Sequence, residues 1–75
     1  MRELRTELML KLLFHDRAGS DARPLLRAQR ARLETIVAAL DAQGSSAAGF
    51  ERTLVLWRRE AAVAALRFVD GALTQ

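Results

Sequence analysis

The side chains able to carry reactive chemistry are few in this 75-residue chain. His15 is the one imidazole, there is no cysteine, and the serine hydroxyls are Ser20, Ser45 and Ser46. Nucleophilic hydrolysis needs a serine in reach of an imidazole that an acid orients. All three serines stand in Gly-containing stretches that read as turns or helix caps, and no Ser–His–Asp grouping is suggested. Glu3 and Glu7 share one helical face, as a general-acid pair does, but at an N-terminus expected to be exposed. Gly44 and Gly49 flank Ser and Ala without a Lys, so no phosphate-cradling loop is present. A metal site has no second His and no Cys to build on. His15, as a pH switch or ligand, competes with a plainer role as a cation favoured near a helix C-terminus. The expectation is no enzyme, no cofactor and no metal.

Two further groups invite a binding reading. Trp57 offers a flat ring on which a small aromatic effector can stack, yet its place between Leu54 and Ala61 reads as a core position. Phe14, Phe50 and Phe68 read the same way. Arg23, Arg27 and Arg30 recur along one face, with Arg58-Arg59 as a second basic pair, as in a phosphate stripe. Glu34, Asp41, Glu51 and Glu60 interleave with them, so a solvated, salt-bridged surface is expected instead.

Composition narrows the class. Eleven Arg and one Lys face nine acids, for a net charge of only +3. The isoelectric point near 11.0 follows from the absence of Tyr and Cys rather than from a large positive field. An apolar share of 51% with 28% charged residues belongs to a folded chain. A domain of this length buries only about 60% of its unfolded surface and, lacking disulfides, relies on helix packing or oligomerisation. No stretch has the length of a membrane span, and the early apolar run contains Lys11 and lacks a small-residue cleavage site. A cytoplasmic protein without membrane contact is expected.

The elements that would position these residues are helices. Two breaks interrupt a chain rich in Leu, Ala, Arg and Glu: Gly19-Ser20-Asp21 and Gly44 to Gly49. The spacing predicts helices over about 2–17, 21–43 and 47–73. Ser20 or Asp21 is expected to cap the second, with Pro24 inside its first turn. Gly44 is expected to close it in the left-handed conformation. Ser45 or Ser46 would cap the third, with Gly49 able to delay its start.

Apolar faces then exceed what three helices can cover. Within Glu7–Phe14, six of eight residues are apolar. At about 100° per residue, Leu8 and Leu12 point one way and Leu10 and Phe14 nearly the other. The second helix is one-sided, with Leu26, Gln29, Leu33, Ile36 and Leu40 at 3-4 spacing and Arg30 and Glu34 placed for a pair. The third carries a broad stripe of Phe50, Leu54, Trp57, Ala61, Ala64, Ala65 and Phe68. A second set, Val55, Ala62, Leu66, Val69 and Leu73, lies roughly 100–160° away. The small Ala61, Ala64 and Ala65 allow another helix to approach closely.

Three phrases resemble the C-terminal domain of PadR-type transcriptional regulators, also named for a virulence activator. They are Glu7-Leu8-Met9-Leu10-Lys11-Leu12-Leu13-Phe14 with its K-L-L-F, the run Leu25 to Leu33, and Leu66-Arg67-Phe68-Val69-Asp70. The resemblance spans nearly the whole chain, and Phe68 stands where the family more often has Trp. It implies a homodimerisation module that spaces two DNA-reading heads and can help sense a small molecule. The winged-helix DNA-binding domain of that family has no counterpart in this sequence, so DNA would be met only through such an upstream domain. The chain is then either a domain separated from that head, with Met1 in front, or one that lives alone.

The expected architecture is all-α: a three-helix antiparallel unit with a long central C-terminal helix, associating as a helical-bundle homodimer. The residues expected to form core and interface are Leu8, Leu10, Leu12, Phe14, Leu54, Trp57, Ala61, Ala64 and Phe68, with Trp57 the possible ligand contact. A small-molecule sensor with an apolar pocket near Trp57, and an adaptor for a different helical protein, are the alternatives.

Overall fold

Local sequence accounts for where the first helix stops and the second starts. The computed structural model describes the backbone of residues 2–75 and the side chains from Thr6 onward, so the Glu3 carboxylate lies outside the described residues. It contains three helices, α1 (Arg2–Ala18), α2 (Arg23–Ser46) and α3 (Gly49–Leu73), and no strand among the described residues. Gly19, at φ 68°, terminates α1 in the left-handed conformation. Its N–H bonds to Asp16 O at 3.2 Å and the Ser20 N–H to His15 O at 3.0 Å, the paired closure of a Schellman motif. α2 begins two residues later than expected. Asp21 still satisfies its first turn, accepting from the Arg23 N–H at 3.0 Å, and Pro24 occupies that turn without losing a helical hydrogen bond.

The second break is shorter than the sequence suggests. Gly44 does not close α2; the helix runs on to Ser46, and Gly44 keeps a negative φ among glycines of which only Gly19 and Gly49 are positive. Ser45 and Ser46 do not cap α3 either. Their hydroxyls donate back to Ala42 O at 2.7 Å and Gln43 O at 3.3 Å. A helical glycine costs only about 1 kcal/mol, and here it faces α3: a Cβ at Gly44 would stand 3.6 Å from Val55 Cγ1. The sharp turn falls instead at Gly49, φ 61°, and α3 starts there without a side-chain cap.

α2 and α3 are antiparallel and form the closely packed pair. Arg30 meets Asp70 at 2.9 Å near one end, Arg59 meets Asp41 further along, and Gly44 meets Val55 beside the connecting turn. Each step forward along α2 is thus matched by one step back along α3. The buried side of α2 is Leu26, Gln29 and Leu33; that of α3 is Val55, Ala62 and Val69. Leu33, only 1% exposed, joins Leu26, Val69 and Leu8 of α1 in one cluster, flanked by Leu12, Leu25, Ile36, Ala65, Leu66, Ala72 and Leu73. No described helix is long and apolar enough to cross a membrane.

Among the described residues Gln29 is the one buried polar residue, and its Oε1 has no hydrogen-bond partner there. An unsatisfied buried acceptor costs about 1–3 kcal/mol. Two stability measurements follow from this core. Leu33→Ala should lower the unfolding free energy by about 2–5 kcal/mol in urea titration, a large share of the total for so short a chain. Gln29→Met should raise it by about 1 kcal/mol, and a decrease would show that the amide has a partner in solution.

Candidate assembly surface

α3 carries two apolar stripes, each at 4-3 spacing and about 140° apart on the wheel. The structure sorts them. Val55, Ala62 and Val69 turn inward with half-buried Leu66 and Leu73. The broader stripe, expected from sequence to supply core and interface without the two being sorted, turns largely to solvent. Trp57 is 72% exposed and Phe50 74%; Phe68 and Ala64 are also exposed, and Leu54 and Ala61 are half-buried. The core reading of Trp57, Phe50 and Phe68 is therefore overturned for the single chain. The inner side of α3 is taken by Val55, Ala62 and Val69 instead. Ala62 is fully enclosed, and a Cβ at Gly44 would already meet Val55 Cγ1 at 3.6 Å, so this interior is filled without a ring. Of the small residues expected to permit close approach, Ala65 packs at the core edge, whereas Ala62 is the one fully enclosed.

α1 is divided as its wheel requires. Leu8 is buried and Leu12 half-buried, while Leu10 is 51% and Phe14 64% exposed. The core expectation for Phe14 fails with those of the other rings, so every aromatic side chain of the chain faces outward. Met9, Leu13 and Leu56 are exposed as well. Met9 and Leu13 extend the outer face of α1 and are legible on the same wheel that separates Leu8 from Leu10.

Several of the charged groups are occupied with one another. Arg30 pairs with Glu34 at 3.3 Å, as its spacing predicts, and also with Asp70. Arg23 grips Asp21 through two guanidinium nitrogens at 3.0 to 3.2 Å. That hydrogen bond holds the Asp21 carboxyl below its ordinary pKa and raises that of Arg23, and Asp41 likewise raises the pKa of Arg59. Two members of the Arg23, Arg27, Arg30 row are thus neutralised locally, which weakens a phosphate-binding stripe.

Two concavities border these surfaces. One, of about 560 Å³, lies where the ends of the helices meet, lined by Leu12 and His15 of α1, Leu26 of α2, and Arg67, Phe68 and Ala72 of α3. At its edge His15 Nδ1 and Ser20 Oγ hydrogen-bond at 2.7 Å. This contact, which sequence reasoning did not foresee, ties the end of α1 to the turn that follows it. The other, of about 320 Å³, lies along α2–α3 between Leu40, Val55 and Leu56. Trp57 lines neither.

No protein-family model, no curated protein and no solved structure matches this chain. The surface must accordingly be read from its own chemistry. Its immediate consequence is spectroscopic. At high dilution Trp57 should emit like a hydrated indole and be fully quenched by acrylamide; a blue-shifted, protected emission under those conditions would return Trp57 to a core position.

Proposed function

We propose that this chain is a non-catalytic homodimerisation domain of a PadR-like transcriptional regulator, in which a second copy covers the outer faces of α1 and α3. The observation that carries the assembly part is the outward placement of all four aromatic rings together with Met9, Leu10, Leu13 and Leu56. The buried apolar core, by comparison, contains Leu8, Leu26, Leu33, Val55, Ala62 and Val69 among the described residues. Scattered apolar residues are normal on a surface, but contiguous apolar faces mark interaction sites. The exposed stripe on α3 repeats at the seam spacing of paired helices, which fits a helical partner better than a small ligand.

The regulatory part rests on the three phrases that resemble the PadR C-terminal domain. In that reading the dimer sets the spacing of two winged-helix heads supplied upstream, DNA is contacted through those heads alone, and the protein works in the cytoplasm. This domain itself needs no cofactor and performs no reaction.

Solution mass tests the reading directly. Sedimentation at micromolar concentration should give twice the chain mass, with Trp57 emission moving to the blue as concentration rises. Leu10→Glu should return the mass to that of one chain while helicity is kept, because Leu10 faces solvent in the single chain and an unpaired charge is penalised only when an interface buries it. A wild-type chain that stays compact and monomeric at about 1 mM would refute self-association.

A further inference from the structure

The outer stripe of α3 contains the information needed to set how two copies pair. Phe50, Leu54, Trp57, Ala61, Ala64 and Phe68 form its seam at 4-3-4-3-4 spacing. One flank carries Glu51, Arg58 and Ala65, and the other Thr53, Glu60 and Arg67. A two-fold axis relating antiparallel helices sets each flank against its own copy.

Charge then discriminates among registers. Pairing the stripe about its midpoint sets Glu60 against Glu60 of the partner subunit and Arg58 against the partner's Arg58, a like-charge contact on both flanks. Sliding one heptad toward the C-terminus removes both conflicts. Glu60 then faces the partner's Arg67, twice by symmetry, and Arg58 faces the partner's Ala65. Trp57 comes to lie on Phe68 of the partner subunit, and Ala61 meets the partner subunit's Ala64. The smallest side chains thus stand at the centre, where the backbones approach most closely. Sliding the other way matches Glu51 with Arg58 of the partner subunit but leaves Phe68 outside the overlap.

The ion-pair inventory leaves the charges of either slide available, since Glu51 and Arg58 also form no salt bridge among the described residues. The choice between slides therefore falls to the overlap of the aromatic and alanine positions. Arg67 forms no salt bridge among the described residues, and Glu60 has only a long contact, 3.8 Å, to Arg59. Asp41, Glu34 and Asp70, by contrast, are engaged within the chain. The same slide brings Phe50 and Leu54 of the partner subunit level with the C-terminal end of α3, which α1 flanks through Leu12 beside Phe68 and Ala72.

We propose that two copies pair antiparallel along α3 in this register, with Glu60 and the partner's Arg67 as the specificity-determining contact. The proposal rests on the homodimer reading above and adds its geometry. Charge exchange tests it with the intact chain. Glu60→Arg alone and Arg67→Glu alone should each raise the dimer Kd by roughly tenfold or more, since two attractive contacts become repulsive. An equimolar mixture of the two variants should restore the dimer mass, because both contacts are matched again in the mixed pair. Circular dichroism of each variant should stay helical, both positions being on the surface. Since the chain has no cysteine, Ala61→Cys mixed with Ala64→Cys should also give a disulfide-linked heterodimer on mild oxidation.

The outcomes separate the two ideas. If the wild-type dimer persists unchanged in both charge variants and the cysteines do not link, the register is overturned while self-association stands. If the wild-type chain is a monomer at the highest concentration, the homodimer reading itself fails, and the register with it.

Discussion

The packed seam between α2 and α3 is the constraint on which the rest of the molecule depends. Its α3 side is built from Val55, Ala62, Leu66, Val69 and Leu73, and its α2 side from Leu26, Gln29 and Leu33 with Gly44 near the turn. These side chains fill the interior of the hairpin, and a close-packed interior has no further room for an indole or phenyl ring. The rings are consequently displaced to the far side of α3 and to the outer face of α1. Ion pairs line the seam, Arg30 with Asp70 and Arg59 with Asp41. Each is about half exposed, and pairs of that kind contribute at most about 1 kcal/mol. Packing therefore sets the register of the hairpin, and charge only tunes it.

That ordering of effects explains which features were legible in the sequence. Helix number and the division of α1 between Leu8 and Leu10 follow from periodicity, because the 3.6-residue repeat fixes angular relations within one helix whatever surrounds it. The two stripes of α3 were visible for the same reason. Which of them turns inward was not, since that depends on the neighbouring helix: α2 offers Leu26, Gln29 and Leu33, and the Val–Ala–Leu stripe is the one that packs there. Stripe width and aromatic content pointed the other way because they measure apolar area, whereas the inward stripe is chosen by its fit to the neighbouring helix.

Gly44 and Gly49 show a similar limit. Both sit beside small residues, and either is able to take a left-handed conformation. The choice was made by tertiary contact: continuing α2 through Gly44 brings it against Val55, so the turn moves to Gly49 and the serines between become part of the last helical turn. His15 and Ser20, five residues apart, meet only because the Schellman closure at Gly19 folds the chain back on the end of α1.

α1 is the element for which this architecture has the sharpest consequence. It brings Leu8 and Leu12 to the core cluster and leaves Met9, Leu10, Leu13 and Phe14 in water. An isolated helix of its 17 residues is marginal by itself, so its order depends on packing, and the hairpin supplies packing on one side only. A partner that covers the outer face would supply the other, and the ordering of α1 would then be coupled to association rather than complete before it. The run Glu7–Phe14 carries both requirements in eight residues. The same apolar pattern that sends Leu8 and Leu12 inward leaves Met9, Leu10, Leu13 and Phe14 uncovered in the single chain, because one helix face cannot be buried by a hairpin that lies on the other.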